Sequence, residues 1–201
     1  VFVATQGTDQ KYLYVCLAVA EGEINGFKKI YINDEPQDIT SFPIASNVDV
    51  PSNSKFNVSG ISRARFQFYT GTEDQTASSL LKEHNDWNDS HRLRGVAYVA
   101  CRFEWVKPTH NSQTGEQTLF NPWQGIPTIQ VEIEGKKVLT SYTSSKDTSN
   151  DTSSYNSDFN SGFSYSTNPA DCLLDYLRNP RYGKGLKDNR IDFGAFKTAK
   201  D

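Results

Sequence analysis

Methionine is missing altogether from the 201 residues. A natural reading frame opens with one and this chain opens with Val1, so an excised or processed segment is expected. Long apolar runs are missing too. None approaches the ~20 residues that a helix needs to cross a bilayer, so no membrane span is expected. No signal peptide is visible, which means little in a segment without its true start. A basic excess is missing: 21 Lys and Arg stand against 24 Asp and Glu, a net charge of -3. That balance argues against a nucleic-acid partner, whose phosphates demand a basic face. Arg63 with Arg65, and Arg92 with Arg94, are local exceptions, read as a solvated strand edge or an exposed turn. Cysteine is scarce. Cys16, Cys101 and Cys172 are odd in number and lack CxxC spacing, so buried reduced thiols are expected rather than a disulfide or metal framework.

Signatures of chemistry are sparse. No serine sits in a GxSxG elbow. Gly183-Lys184-Gly185 lacks the upstream glycine of a phosphate loop and follows a helix pattern, so it is rejected as one. His84, Asp86, Asp89 and His91 form the densest group of potential metal ligands, but their spacing matches no standard zinc pattern and a polar loop explains them. His110 stands alone beside Pro108. Glu21 with Glu23, and Glu132 with Glu134, are paired carboxylates; acid-base work needs one of a pair buried, and a solvated face is the simpler reading. Asn57, Asn88 and Asn150 open glycosylation triplets, which chance supplies in an Asn- and Ser-rich chain. No catalytic, cofactor-binding or metal-binding residue is assigned. No enzyme is expected.

What is present is strand pattern. Hydrophobic residues make up 36% and aromatics 12%, enough for a core. Residues 12–20, YLYVCLAVA, are apolar on both faces and read as a strand covered on both sides. Asn25-Gly26 reads as a tight turn, residues 27–32 as the returning strand, and 33–36 as a second turn from which 37–39 pair back. Residues 41–62 are polar and turn-rich, an irregular excursion. Residues 63–69 alternate, with Ala64, Phe66 and Phe68 inward and Arg63, Arg65 and Gln67 outward. Thr76 is a candidate cap for a short helix through Leu80 and Leu81. Residues 96–105 read as a central strand and 121–125 as a loop. In 128–134, Ile129, Val131 and Ile133 face inward, while Gln130, Glu132 and Glu134 face outward. A turn at 134–136 then starts a return strand at Val138-Leu139.

From 141 to 167 the composition shifts to Ser, Thr, Asn and Asp, too polar for a core, and a loop or linker is expected. Its aromatics Tyr155, Phe159, Phe163 and Tyr165 offer the alternative of pinning it to a neighbour. Then Asn168 suits an N-cap, Pro169 the first helical position and Asp171 the first turn. Leu173, Leu174 and Leu177 are read as one stripe; Asn179-Pro180 stops the helix and 182–185 turn. Asp192 caps a second helix with Phe193 and Phe196 on one face. The domains read as 1–140, β-rich; 141–167, loop or linker; and 168–201, helical. The fold class is mainly β (α+β), antiparallel sandwich- or barrel-like, with one or two C-terminal helices.

Two stretches resemble a known family. One is HRLRGVAYVACRFEW (91–105) continued by GIPTIQVEIEGKKVL (125–139). The other is NPADCLLDYLRNPRYGKGL (168–186), followed by Ile191-Asp192-Phe193. The segment YLYVCLAVAEGEINGFKKIYINDEP (12–36) is similar as well. In order and spacing they resemble the phage tail-tip, host-specificity (J-type) hub proteins. That resemblance implies a structural part of the virion, made in the bacterial cytoplasm. It implies a homotrimeric hub that closes the distal end of the tail tube, binds other tube and tip proteins, and carries receptor-binding parts. The long Ser/Asn-rich segment departs from common members. Two other functions are weighed. One is a carbohydrate-binding sandwich for host adsorption, with Trp87 and Trp123 as exposed stacking platforms. The other is a wall-degrading hydrolase.

Overall fold

The computed structural model describes residues 2–142 and 162–201. The chain divides into two compact units, Val1–Glu134 and Gly135–Asp201. The expected linker, with Tyr155, Phe159 and the Asn150 triplet, lies largely outside the described residues.

Unit 1 is built on a five-stranded antiparallel sheet. Its strands are β1 (Phe2–Gln6), β2 (Tyr12–Glu21), β5 (Val48–Asp49), β8 (Ala64–Tyr69) and β9 (Val96–Glu104), in the order β1-β2-β9-β8-β5. Strand β9 is central, as its apolar run requires: it pairs β2 on one side and β8 on the other. Directly opposed residues share a face. One row therefore crosses the whole sheet, Val3–Val15–Cys101–Phe66–Val48. This face is covered by a three-stranded sheet of β3 (Ile24–Ile32), β4 (Glu35–Pro36) and β12 (Ile129–Lys136), ordered β12-β3-β4. Ile24, Phe27, Ile30 and Ile32 meet Phe66, Phe68, Val99, Cys101 and Phe103 in the main core. Ile129, Val131 and Ile133 pack against it, as their alternation predicts.

The other face is covered by chain rather than by a sheet. Leu80, Leu81 and Trp87 lie with Tyr14, Cys16, Tyr69 and Tyr98 in a second cluster. Both faces of β2 are thus engaged, as its two-sided apolarity predicts. Gln67 sits on this face and is buried, not outward. Two hydrogen bonds from its amide, to Asn47 (2.9 Å) and Ser79 (2.7 Å), compensate, as does the one its carbonyl accepts from Ser78 (2.7 Å). Arg63 is half-buried, its side chain 11% exposed: it bridges Glu104 at 2.8 Å and is not a solvated strand edge.

Several local expectations are corrected. Asn25-Gly26 is not a turn. Strand β3 runs through it, because the Asn25 side chain is held by Glu134 of the neighbouring strand. The reversal falls earlier, at Gly22, with φ of 82°. Asn33-Asp34 does turn, both at positive φ, and joins β3 to β4. Residues 41–62 are less irregular than their composition implies. They supply edge strand β5 and a hairpin of β6 (Asn57–Val58) and β7 (Ile61–Ser62). They also supply Phe56, fully buried and stacked on Trp123 at 4.8 Å. No helix starts at Thr76; only a 3-10 turn at Leu81–Glu83 forms, with Ser78 Oγ accepting the Leu81 N–H. Gly135 is not a turn either, since β12 continues to Lys136. A small hairpin of β10 (Thr109–His110) and β11 (Gln117–Leu119) completes unit 1.

In unit 2, β13 (Val138–Leu139) pairs with β14 (Phe163–Ser164), not with β12. Phe163 is thereby tied to this unit. Helix α1 (Pro169–Arg178) opens as predicted, with Asn168 Oδ1 accepting the Ala170 N–H at 2.9 Å. Helix α2 (Phe193–Lys200) is capped by Asp192, which accepts the Ala195 N–H at 3.0 Å. Leu174, Ile191 and Phe193 form the core of this unit.

Candidate assembly surface

The small sheet does not cover the main sheet as far as β1. Val3 is 50% exposed, and the sheet edge beyond β1 pairs with no described strand. An apolar groove of about 770 Å³ opens there. Val3, Leu13, Phe103, Trp105, Trp123 and Ile126 line it. Trp123 forms its floor: it stacks on Phe56, meets Phe103 edge-on at 5.2 Å, and donates Nε1–H to the Glu104 carbonyl at 2.7 Å. Asn121 shapes the wall, accepting the Val106 N–H at 3.2 Å and donating to the Trp123 carbonyl at 2.9 Å. Ile126, 73% exposed, stands at the rim beside Pro127. Lys11 on the rim is held by Glu104 at 2.9 Å. Such a site offers apolar surface next to a row of free main-chain donors and acceptors. That combination suits an extended protein segment added to the sheet edge.

Unit 2 holds a different construction. The buried stripe of α1 is Asp171, Leu174, Asp175 and Arg178, at helical spacing. Each charge is answered. Asp171 meets Lys200 at 3.0 Å and accepts from Ser166 at 2.7 Å and Tyr142 at 3.3 Å. Asp175 accepts from the Tyr182 hydroxyl. Arg178 forms a two-pronged pair with Asp188, at 2.7 and 3.1 Å. The Gly183-Lys184-Gly185 segment wraps back onto the end of α1. There the Lys184 N–H donates to the Tyr176 carbonyl at 3.0 Å and the Leu186 N–H to the Leu177 carbonyl at 2.8 Å. Those partners are helix C-terminal carbonyls, the negative end of the dipole, the opposite of a phosphate cradle. Leu173, read as part of the inner stripe, faces outward instead.

The other residues singled out by sequence fall as follows. Trp87 and Trp123 are only 7% and 8% exposed, so neither offers a stacking platform for a sugar; both are core aromatics with polar tips. His84 packs against Phe2 and Tyr14, and His91 lies 5.0 Å from Trp87. Asp89 is drawn off to Lys82 at 2.7 Å, which holds its carboxyl below the usual range. Among the described residues, no three His, Cys, Asp or Glu converge to hold a metal. Glu134 is held by Asn25 and Lys28, which lower its pKa, and Glu132 lies 3.5 Å from Lys29. His110 is exposed in β10. Cys16 and Cys101 are buried, and burial pushes the Cys16 thiol up to about 12. Cys172 is exposed, contrary to expectation, because it lies one position past the buried Asp171.

The sequence reading missed Trp105 and Ile126, whose exposure no local pattern signals. It also missed the inward charges of α1, although Asp171, Asp175 and Arg178 at i, i+4 and i+7 carry that signal.

No protein-family model matches the chain. The chain is similar to the baseplate hub protein pb3 of Escherichia phage T5, 26% identical over 228 residues. The aligned region covers 92% of this chain and spans about a fifth of that relative's length (21%). The likeness supports a relationship to phage tail-hub proteins in general and does not reach the host-specificity type in particular.

Proposed function

We propose that the chain is a structural, non-enzymatic module of a bacteriophage tail hub. In this reading it helps close the distal end of the tail tube and connects to receptor-binding parts. It assembles as a homotrimer, with tube and tip proteins as neighbours, and resides in the virion. The observation that carries the reading is the likeness to a baseplate hub protein across 92% of the chain. The groove at the β1 edge supports it. A hub module needs rigid sheets that leave an apolar edge for a neighbouring subunit. No helix among the described residues is long and apolar enough to cross a membrane. A sugar-binding role loses its platforms with the burial of Trp87 and Trp123.

Immunogold electron microscopy of phage particles, with antibody raised against this chain, is the direct test. Gold at the distal tail end is expected. Antibody that binds the lysate but decorates no particle overturns the reading. A zymogram on cell walls should show no clearing.

A further inference from the structure

Helix α1 is inverted. It buries Asp171, Asp175 and Arg178 and exposes Leu173 (51%) and Tyr176 (42%), which stand three residues apart and so are neighbours on its surface. The loop strapped onto its end adds exposed Leu186 beside Leu177 and places Lys184 beside Tyr176. The surrounding charge is one-sided. The described residues of unit 2 carry nine Lys and Arg against five Asp, and Asp171, Asp175 and Asp188 are buried. Unit 1 is the reverse, with eleven basic against sixteen acidic residues. Lys184, Lys187 and Arg190 are exposed, and among the described residues no carboxylate pairs with them. One cation would satisfy the α1 C-terminus; three exceed that need.

We propose that the outer face of α1 and the 184–190 loop form a docking surface for an acidic protein segment. Its carboxylates meet Lys184, Lys187 and Arg190, and its apolar side chains cover Leu173, Tyr176 and Leu186. The apolar patch favours protein over nucleic acid: Leu173 and Leu186 offer a phosphate backbone nothing, whereas an amphipathic acidic segment satisfies both halves. The surface belongs to unit 2 alone and does not depend on the tail-hub reading.

The test uses the whole chain and three labelled probes of matched charge, followed by fluorescence anisotropy. They are a peptide of interspersed Glu and Leu, a polyglutamate, and a DNA oligonucleotide. The Glu/Leu peptide should bind best, and more weakly as salt rises. The variant Lys184→Glu/Arg190→Glu should weaken it about tenfold or more. Tyr176→Ser should weaken the Glu/Leu peptide and leave polyglutamate unchanged. The milder Lys184→Gln/Arg190→Gln, checked for an unaltered circular dichroism spectrum, covers failure of the charge-reversed variant to fold. Peptide binding indifferent to these changes overturns the proposal. So does DNA bound as tightly as the Glu/Leu peptide, or a second copy of the chain occupying the surface in sedimentation runs that the variants abolish.

Discussion

At Arg178 the guanidinium is 7% exposed and its partner Asp188 only 2%. Such a pair gives little net stability, since desolvation consumes most of its attraction, yet breaking it strands a buried charge. Asp188→Ala should therefore cost about 3–5 kcal/mol. The double variant Arg178→Met/Asp188→Leu should cost less than either single change. Urea titration followed by circular dichroism reads both. Thiol reactivity is a second prediction at this scale. Only Cys172 is exposed, so Ellman's reagent near pH 8 should titrate one thiol in the native protein and three in denaturant. The Cys16 thiol, raised from 9.0 to about 12, holds its proton more tightly when folded. Its contribution is intact below about pH 9 and is lost as pH climbs toward 12, so alkaline unfolding should sharpen in that window.

Among the elements, strands were legible wherever period two or a two-sided apolar run was unambiguous. Strands β2, β8, β9 and β12 follow from such runs. The helices were legible from their caps, Asn168 and Asp192. What failed was punctuation. Asn25-Gly26 is a strong turn pair locally and 134–136 reads as a turn, but β3 and β12, neighbours in one sheet, run through both in extended chain, and tertiary contacts override the local signal. The inward face of α1 was misread for a related reason. Charges mark solvent unless partners distant in sequence, here Lys200 and Asp188, answer them. Gly183 is the tightest joint of that element. A Cβ there would collide with the Tyr176 carbonyl, and with the Asn179 oxygen at 2.9 Å. Gly183→Ala should cost about 1–3 kcal/mol. It should also speed amide exchange at Lys184 and Leu186, which the wrapped loop protects.

For the whole molecule, the groove was the least legible feature. Its residues come from β1, the turn into β2 and the start of β2, the end of β9 and the 121–127 loop, and only folding brings them together. Ile126→Asp, at a position 73% exposed, should change the unfolding free energy by no more than ordinary surface substitutions do, about 0.5 kcal/mol. If the groove seats a neighbouring subunit, the same variant should be left out of purified tails. A folded variant that enters tails at the normal level removes the groove from the assembly interface.

One irregularity within the sheet bears on how the chain finds its alignment. Between Ala18 and Ala20, β2 carries an extra residue, Val19, with no counterpart on β9. A slip of β2 by two residues would return every side chain to its own face, so burial alone does not forbid it. The extra residue does, because its kink fits opposite a single place between Ala97 and Tyr98. Val19 thus acts as a phase mark on an otherwise repetitive ruler. Deleting it should leave a strand of sound composition that has lost its unique alignment, and the product should be several pairings rather than one.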